Sequence, residues 1–192
     1  FNDLLFKLAR LDNFRNVWEL PTYQVEEDTN HKLPIYETAF FKKMEDIEVV
    51  LRFFALRHME QYRYGIQGFL DLYMIRSKKF NIEDCEVLGS LFENTLDTAV
   101  EIFDENAFKI YEDGHFVGKA KKGVYDAVMV SLSEFSDDYD KLIEEKQFIV
   151  EQTKLLFESR GVSSVTGRAS TKLDLENRIN FFREIFSLAM GN

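Results

Sequence analysis

Lys119-Ala120-Lys121-Lys122 is the one basic cluster of the chain, and it lies between Gly118 and Gly123. A glycine-bracketed basic loop can meet phosphate through backbone N–H groups and ammonium charge. The glycine spacing is not that of a nucleotide-binding loop, and a solvated loop balancing an acidic protein is the plainer account. A second candidate runs through Gly161–Ser170. There Arg160 and Arg168 stand among Ser163, Ser164, Thr166 and Ser170, followed by Lys172. Hydroxyls and guanidinium groups ahead of a helix N-terminus can hold a phosphate; a connector between helices uses the same residues. Lys119, Lys121, Lys122, Arg160, Arg168 and Lys172 are therefore the candidate phosphate or nucleic-acid contacts, provided the fold brings the two groups to one face.

Other chemistry has less to work with. Cys85 sits early in an expected helix, where the dipole lowers a thiol pKa, but Asp84 and Glu86 oppose that, so it reads as an inert, partly buried thiol. His31, His58 and His115 are isolated, without the spacing of a metal site. Asp137-Asp138 and Glu144-Glu145 lie in polar helical contexts and read as a solvated face rather than an acid–base pair. No catalytic residue, metal ligand or cofactor is assigned.

Arg52 is different. It interrupts Ile47–Leu56, an apolar run whose Ile47, Val50, Leu51, Phe54 and Ala55 recur at helical spacing while Val49, Phe53 and Leu56 load the other side. A guanidinium in a helix covered nearly all round needs a carboxylate or carbonyls, because burial of an unpaired charge is costly. A structural ion pair with Asp46, Glu48 or a distant acid is the expected role; a phosphate contact is the alternative.

These residues need elements to hold them. Both prolines, Pro21 and Pro34, precede a long proline-free remainder, which favours helices. Hydrophobic residues make up 45% of the 192 residues and 19 are Phe, enough for a sizeable core. The periodicity predicts an all-α fold: an irregular bundle of about seven helices over residues 1–192, divisible at most into 1–80 and 81–192. The expected helices are 2–10, 45–61, 66–77, 82–103, 124–135, 137–158 and 171–190, with a weak turn near 14–20. A short β-hairpin is expected around Glu112–Lys119, turning at Asp113-Gly114. Asn81 with Asp84 is box-like at the start of the fourth helix. Tyr139, Leu142, Ile143, Phe148, Ile149 and Leu156 are assigned to the inner face of the sixth helix, and Leu173, Leu175, Ile179, Phe182, Ile185, Phe186 and Ala189 to that of the last. Pro21–Lys32 reads as an exposed acidic loop or a segment ordered by a partner, and Gly161–Ser170 as a flexible loop.

Thirty-four acidic against 24 basic residues give a net charge of −10, which disfavours non-specific nucleic-acid binding overall. A single cysteine excludes an internal disulfide and suggests a reducing, cytoplasmic setting. No apolar run is long enough to predict a membrane span.

Several segments carry a resemblance. Glu48 followed by Val49-Val50-Leu51-Arg52-Phe53-Phe54-Ala55-Leu56 resembles the helical region of GmrSD-type restriction endonuclease proteins. So, in order along the chain, do Phe1–Ala9, Gly68–Met74, Phe103–Phe108, Val124–Met129 and the pairs Gly167-Arg168 and Arg178-Ile179. In that family a ParB-like nucleotide-hydrolysing domain with an Asp-Gly-Gln-Arg type motif comes first, and some members end in an HNH nuclease. Neither motif occurs in this sequence. The resemblance implies a helical accessory piece whose chemistry lies elsewhere. Its expected partners are the N-terminal domain of a parent chain in cis, a nuclease, and DNA through the local basic loops. The alternative is an acidic protein-interaction module unrelated to restriction.

Overall fold

The computed structural model describes residues 1–21, 38–166 and 171–191. It is an all-α fold carrying one two-stranded hairpin. Eleven α-helices occur among the described residues: α1 (Asn2–Leu8), α2 (Asp12–Val17), α3 (Ala39–Lys42), α4 (Glu45–Leu56), α5 (Gly65–Ser77), α6 (Ile82–Phe103), α7 (Lys122–Leu132), α8 (Tyr139–Glu144), α9 (Lys146–Arg160), α10 (Val162–Thr166) and α11 (Lys172–Ala189). Strands β1 (Ile110–Glu112) and β2 (His115–Val117) pair antiparallel, with Tyr111 opposite Phe116. Asp113 and Gly114 both have positive φ, 51° and 83°, as a two-residue hairpin turn matched to strand twist requires.

Of the four helices beyond the seven expected, one comes from a split, α2 stands near the expected weak turn, and α3 and α10 lie where no helix is expected. The helix expected over 45–61 stops at Leu56, where the apolar run gives way to Arg57 and His58, and resumes only as a 3-10 turn at Met59–Gln61. The helix expected over 137–158 is split at Glu145, and both halves pack on α6. Within the expected flexible loop Gly161–Ser170, Val162–Thr166 forms α10, held by the fully buried Val165. Gly161, at φ 76°, makes the corner that separates it from α9. Gly123 does not bracket a loop but lies inside the first turn of α7. The expected acidic loop Pro21–Lys32 lies, after Pro21, outside the described residues.

The longest helix, α6, has the boundaries its pattern predicts. Asn81 accepts from the Asp84 backbone N–H at 2.8 Å, and the Asp84 carboxylate accepts from the Asn81 N–H at 3.0 Å, a complete capping box. Its Phe92, Leu96 and Ala99 are fully buried. The Phe92 ring meets Phe53, Phe54 and Phe14 at centroid distances of 5.3, 5.9 and 6.3 Å. One contiguous cluster of buried apolar residues extends from Leu5 to Phe186.

Two inner-face assignments fail. Leu173 is 65% exposed and Phe148 37% exposed. α11 seats itself through Leu175, Arg178, Ile179, Phe182, Ile185 and Phe186, an arc that leaves Leu173 on the outside. α9 buries Ile149, Thr153 and Phe157, which leaves Phe148 to solvent.

Because Phe92 joins three aromatic rings at the meeting of α2, α4 and α6, Phe92→Ala is expected to destabilise the chain by about 3–5 kcal/mol. Chemical denaturation with a two-state fit checks this; a loss within a few tenths of a kcal/mol would contradict the packing described.

Candidate functional site

α4 and α7 are both apolar nearly all round, and each carries a buried charge in the middle of its run. Arg52 is that charge in α4, and Asp126 in α7. They meet. Arg52 Nε donates to Asp126 Oδ1 and Oδ2 at 3.0 and 3.1 Å, and Arg52 Nη2 donates to Oδ2 as well. The fork-on-fork geometry is what a planar guanidinium offers a carboxylate. Glu48, one turn earlier on α4, lies 3.8 Å from Arg52 Nη1. Burial opposes the charge on Arg52, but the charge and hydrogen bonds of Asp126 outweigh it, and the guanidinium pKa is raised. Of the three acids expected as partners, the distant one is the main ligand, Glu48 is secondary, and Asp46 faces elsewhere.

Arg178 of α11 lies beside this pair, 5% exposed, and donates from Nε to the Asp174 carbonyl at 3.0 Å. Burial lowers its pKa, with Asp126 and Asp174 acting against that and Arg52 with it. Asp126 thus pairs with Arg52 of α4 and acts through its charge on Arg178 of α11. Its neighbour Tyr125 is fully buried and titrates well above the ordinary tyrosine range, first through burial and then through Asp126. A Cβ on Gly123 would stand 2.9 Å from Arg178 Nη1 and 3.4 Å from the Thr166 Cα, so α7, α10 and α11 converge there.

That convergence also joins the two basic segments. Lys121, Lys122 and Gly123 line one groove of about 1140 Å³ with Gly161, Val162, Ser163 and Thr166. The charges in it are mixed. Glu112, Asp113 and Glu158 line the same groove. Lys122 reaches Glu45 at 3.0 Å and Glu48 at 3.5 Å, and stands over the Phe40 ring. Lys119 pairs with Glu19 at 2.6 Å. Lys172 pairs with Glu176 along α11 at 3.5 Å. Arg160 turns onto the Phe181 ring, 5.0 Å from its centre, and belongs to a different groove. Lys121 is exposed. Arg168 lies outside the described residues.

The remaining candidates stay apart. Cys85, in the first turn of α6, is half-buried in a groove that α1 also lines. His58 stacks on Tyr73, and burial lowers its pKa; His115 sits in the hairpin. Asp138 holds Lys141 at 2.7 Å. Among the described residues no three His, Cys, Asp or Glu side chains gather as metal ligands would, and no helix is long and apolar enough to cross a membrane. Comparison with protein-family models, curated proteins and solved structures finds no match to this chain.

Asp126 was legible by the same signal as Arg52, a lone charge between Val124-Tyr125 and Ala127–Val130. A second buried carboxylate, Asp46, is 5% exposed at the start of α4, and its Oδ1 has no hydrogen-bond partner among the described residues. Burial raises its pKa from the ordinary 3.8, against the backbone N–H groups of Ile47 and Asp46 and the charges of Arg15 and Arg10.

Two outcomes follow. Arg52→Ala leaves Asp126 buried without its main partner and should lose about 3–5 kcal/mol, Arg52→Lys should recover part, and the double replacement Arg52→Met with Asp126→Leu should recover most. A melting temperature unchanged in Arg52→Ala would contradict the pair's role. For Asp46, the folded-state pKa exceeds the unfolded one, so its charged form opposes folding above that pKa and not below 3.8. Asp46→Asn should therefore raise the melting temperature near neutral pH, and the gain should vanish as the pH falls toward 3.8.

Proposed function

We propose that this chain is a non-catalytic helical accessory domain. By its resemblance it is the kind that, in a GmrSD-like restriction or anti-phage defence protein, couples a nucleotide-hydrolysing domain to DNA or a nuclease partner. The observation that carries the accessory reading is how the charged side chains are used. Lys119, Lys122 and Lys172 lie against carboxylates of this same chain, and Arg52 is held by Asp126. Charge committed to fixing helices favours a rigid relay over a reaction centre. The restriction setting rests on the ordered resemblance alone.

A second reading, an acidic protein-interaction module unrelated to restriction, is favoured by one specific observation. Leu155 and Leu188 on neighbouring helices stand 52% and 54% exposed beside one groove. Both readings place the chain's work at protein surfaces. DNA contact, if the parent protein makes it here, would use Lys121 with the lysines beside it in the groove of α7 and α10.

Purified chain incubated with nucleoside triphosphates, plasmid DNA and magnesium is expected to show no turnover that survives repurification. Because Lys119 and Lys122 already face carboxylates, fluorescence titration should show no saturable duplex binding at about 50 mM salt. Turnover would overturn the accessory reading. Saturable binding abolished by joint replacement of Lys119, Lys121 and Lys122, with the salt dependence falling roughly one unit per lost phosphate contact, would place DNA on this domain directly.

A further inference from the structure

α9 and α11 run antiparallel. Arg160, at the end of α9, covers Phe181 in the middle of α11, while Gln152 and Leu156, earlier in α9, share a groove of about 490 Å³ with Ile185 and Leu188, later in α11. Each helix buries one face in the core and carries on its outer side a second line of residues, alternately apolar and polar. On α9, Phe148, Gln152, Leu155 and Ser159 recur at steps of four, three and four residues. On α11, Asn177, Phe181, Glu184 and Leu188 recur at the same steps. Such spacing keeps all four side chains of each helix on one line. The two lines meet at one trough, lined on α9 from Gln152 to Arg160, a length of roughly 12 Å or about two helical turns.

We propose that this trough docks one amphipathic helix of a partner protein, with an apolar face flanked by lysine or arginine. Leu155 on α9 and Phe181 and Leu188 on α11 supply the apolar anchor sites, the last two at the seven-residue step that a helix in a groove reads. The charge follows from the rim. Glu158 and Glu184 line the groove and are exposed, and the one cation among its described lining residues, Arg160, is stacked on Phe181. The whole chain carries −10, so a basic helix is steered toward it and an acidic one repelled. This goes beyond the accessory reading, because it needs neither a nuclease nor a nucleotide-hydrolysing partner.

The test uses the full chain with methyl-labelled leucines. The probe is a designed helical peptide of about 16 residues, long enough to hold a helix when docked, with leucines at i, i+3, i+4 and i+7 and lysines beside them. A matched peptide carries glutamates in place of the lysines. Saturable shifts of the Leu155, Leu156 and Leu188 methyls are expected with the lysine peptide. Binding should be at least roughly tenfold weaker for the glutamate peptide, and likewise for Leu155→Glu and Leu188→Glu. Both substituted side chains are exposed, so melting temperatures should hold, and any variant that melts early is replaced by Leu155→Ser or Leu188→Ser. No saturable shift below about 1 mM peptide, or equal binding of both peptides, overturns the proposal. Sedimentation of the chain alone adds a third overturning result: a dimer abolished by Leu155→Glu would assign the trough to a second copy. Turnover or duplex binding would defeat the accessory reading and leave this result standing.

Discussion

The bidentate pair between Arg52 and Asp126 fixes more of this structure than any other contact. α4 and α7 are covered on nearly every side, so apolar packing alone would tolerate sliding or rotation of one against the other. A guanidinium and a carboxylate that must find one another inside that packing remove the freedom, since other registers strand a charge. α7 in turn packs on α6, α10 and α11. One polar contact thus sets α4 against α7, the helix on which the other three pack, and the charge of Asp126 also acts on Arg178 of α11.

Much of the scaffold was legible in the residues. The stripe from Leu88 to Phe103, with Asn81 and Asp84 ahead of it, gives α6 and its cap, because local hydrogen bonds and helical period agree there. Asp113-Gly114 gives the hairpin for the same reason. The failures share a cause as well. Glu144-Glu145-Lys146 would continue a helix comfortably on propensity, and only packing of both halves on α6 breaks it. Leu173 is apolar and in phase with nothing buried nearby, so its type misleads. Val165 anchors α10 through tertiary contact that its own serine- and glycine-rich neighbours conceal.

The candidate site shows the same division. The sequence offered two basic segments far apart, and the fold does bring Lys121 and Lys122 beside Ser163 and Thr166. What composition could not convey is that Glu45 and Glu48 reach Lys122, and Glu19 reaches Lys119, first. Arg52 was conspicuous because it stood alone in an apolar run. Asp126 stood in an equally apolar run, and only the pairing makes its meaning plain. Among described polar groups, the buried ones serve packing, while exposed leucines mark the outer sides of α9 and α11.

The Arg52–Asp126 contact spans 74 positions of sequence, which bears on heredity rather than on stability alone. Neither residue can drift independently, because each intermediate carries a buried, unmatched charge. The two positions should covary through descent, passing together to another matched pair or together to apolar residues. An arginine within one helical run and an aspartate within a second run, set at that interval, therefore forms a tether by which distant descendants of this chain could be found after the surrounding phenylalanines have diverged.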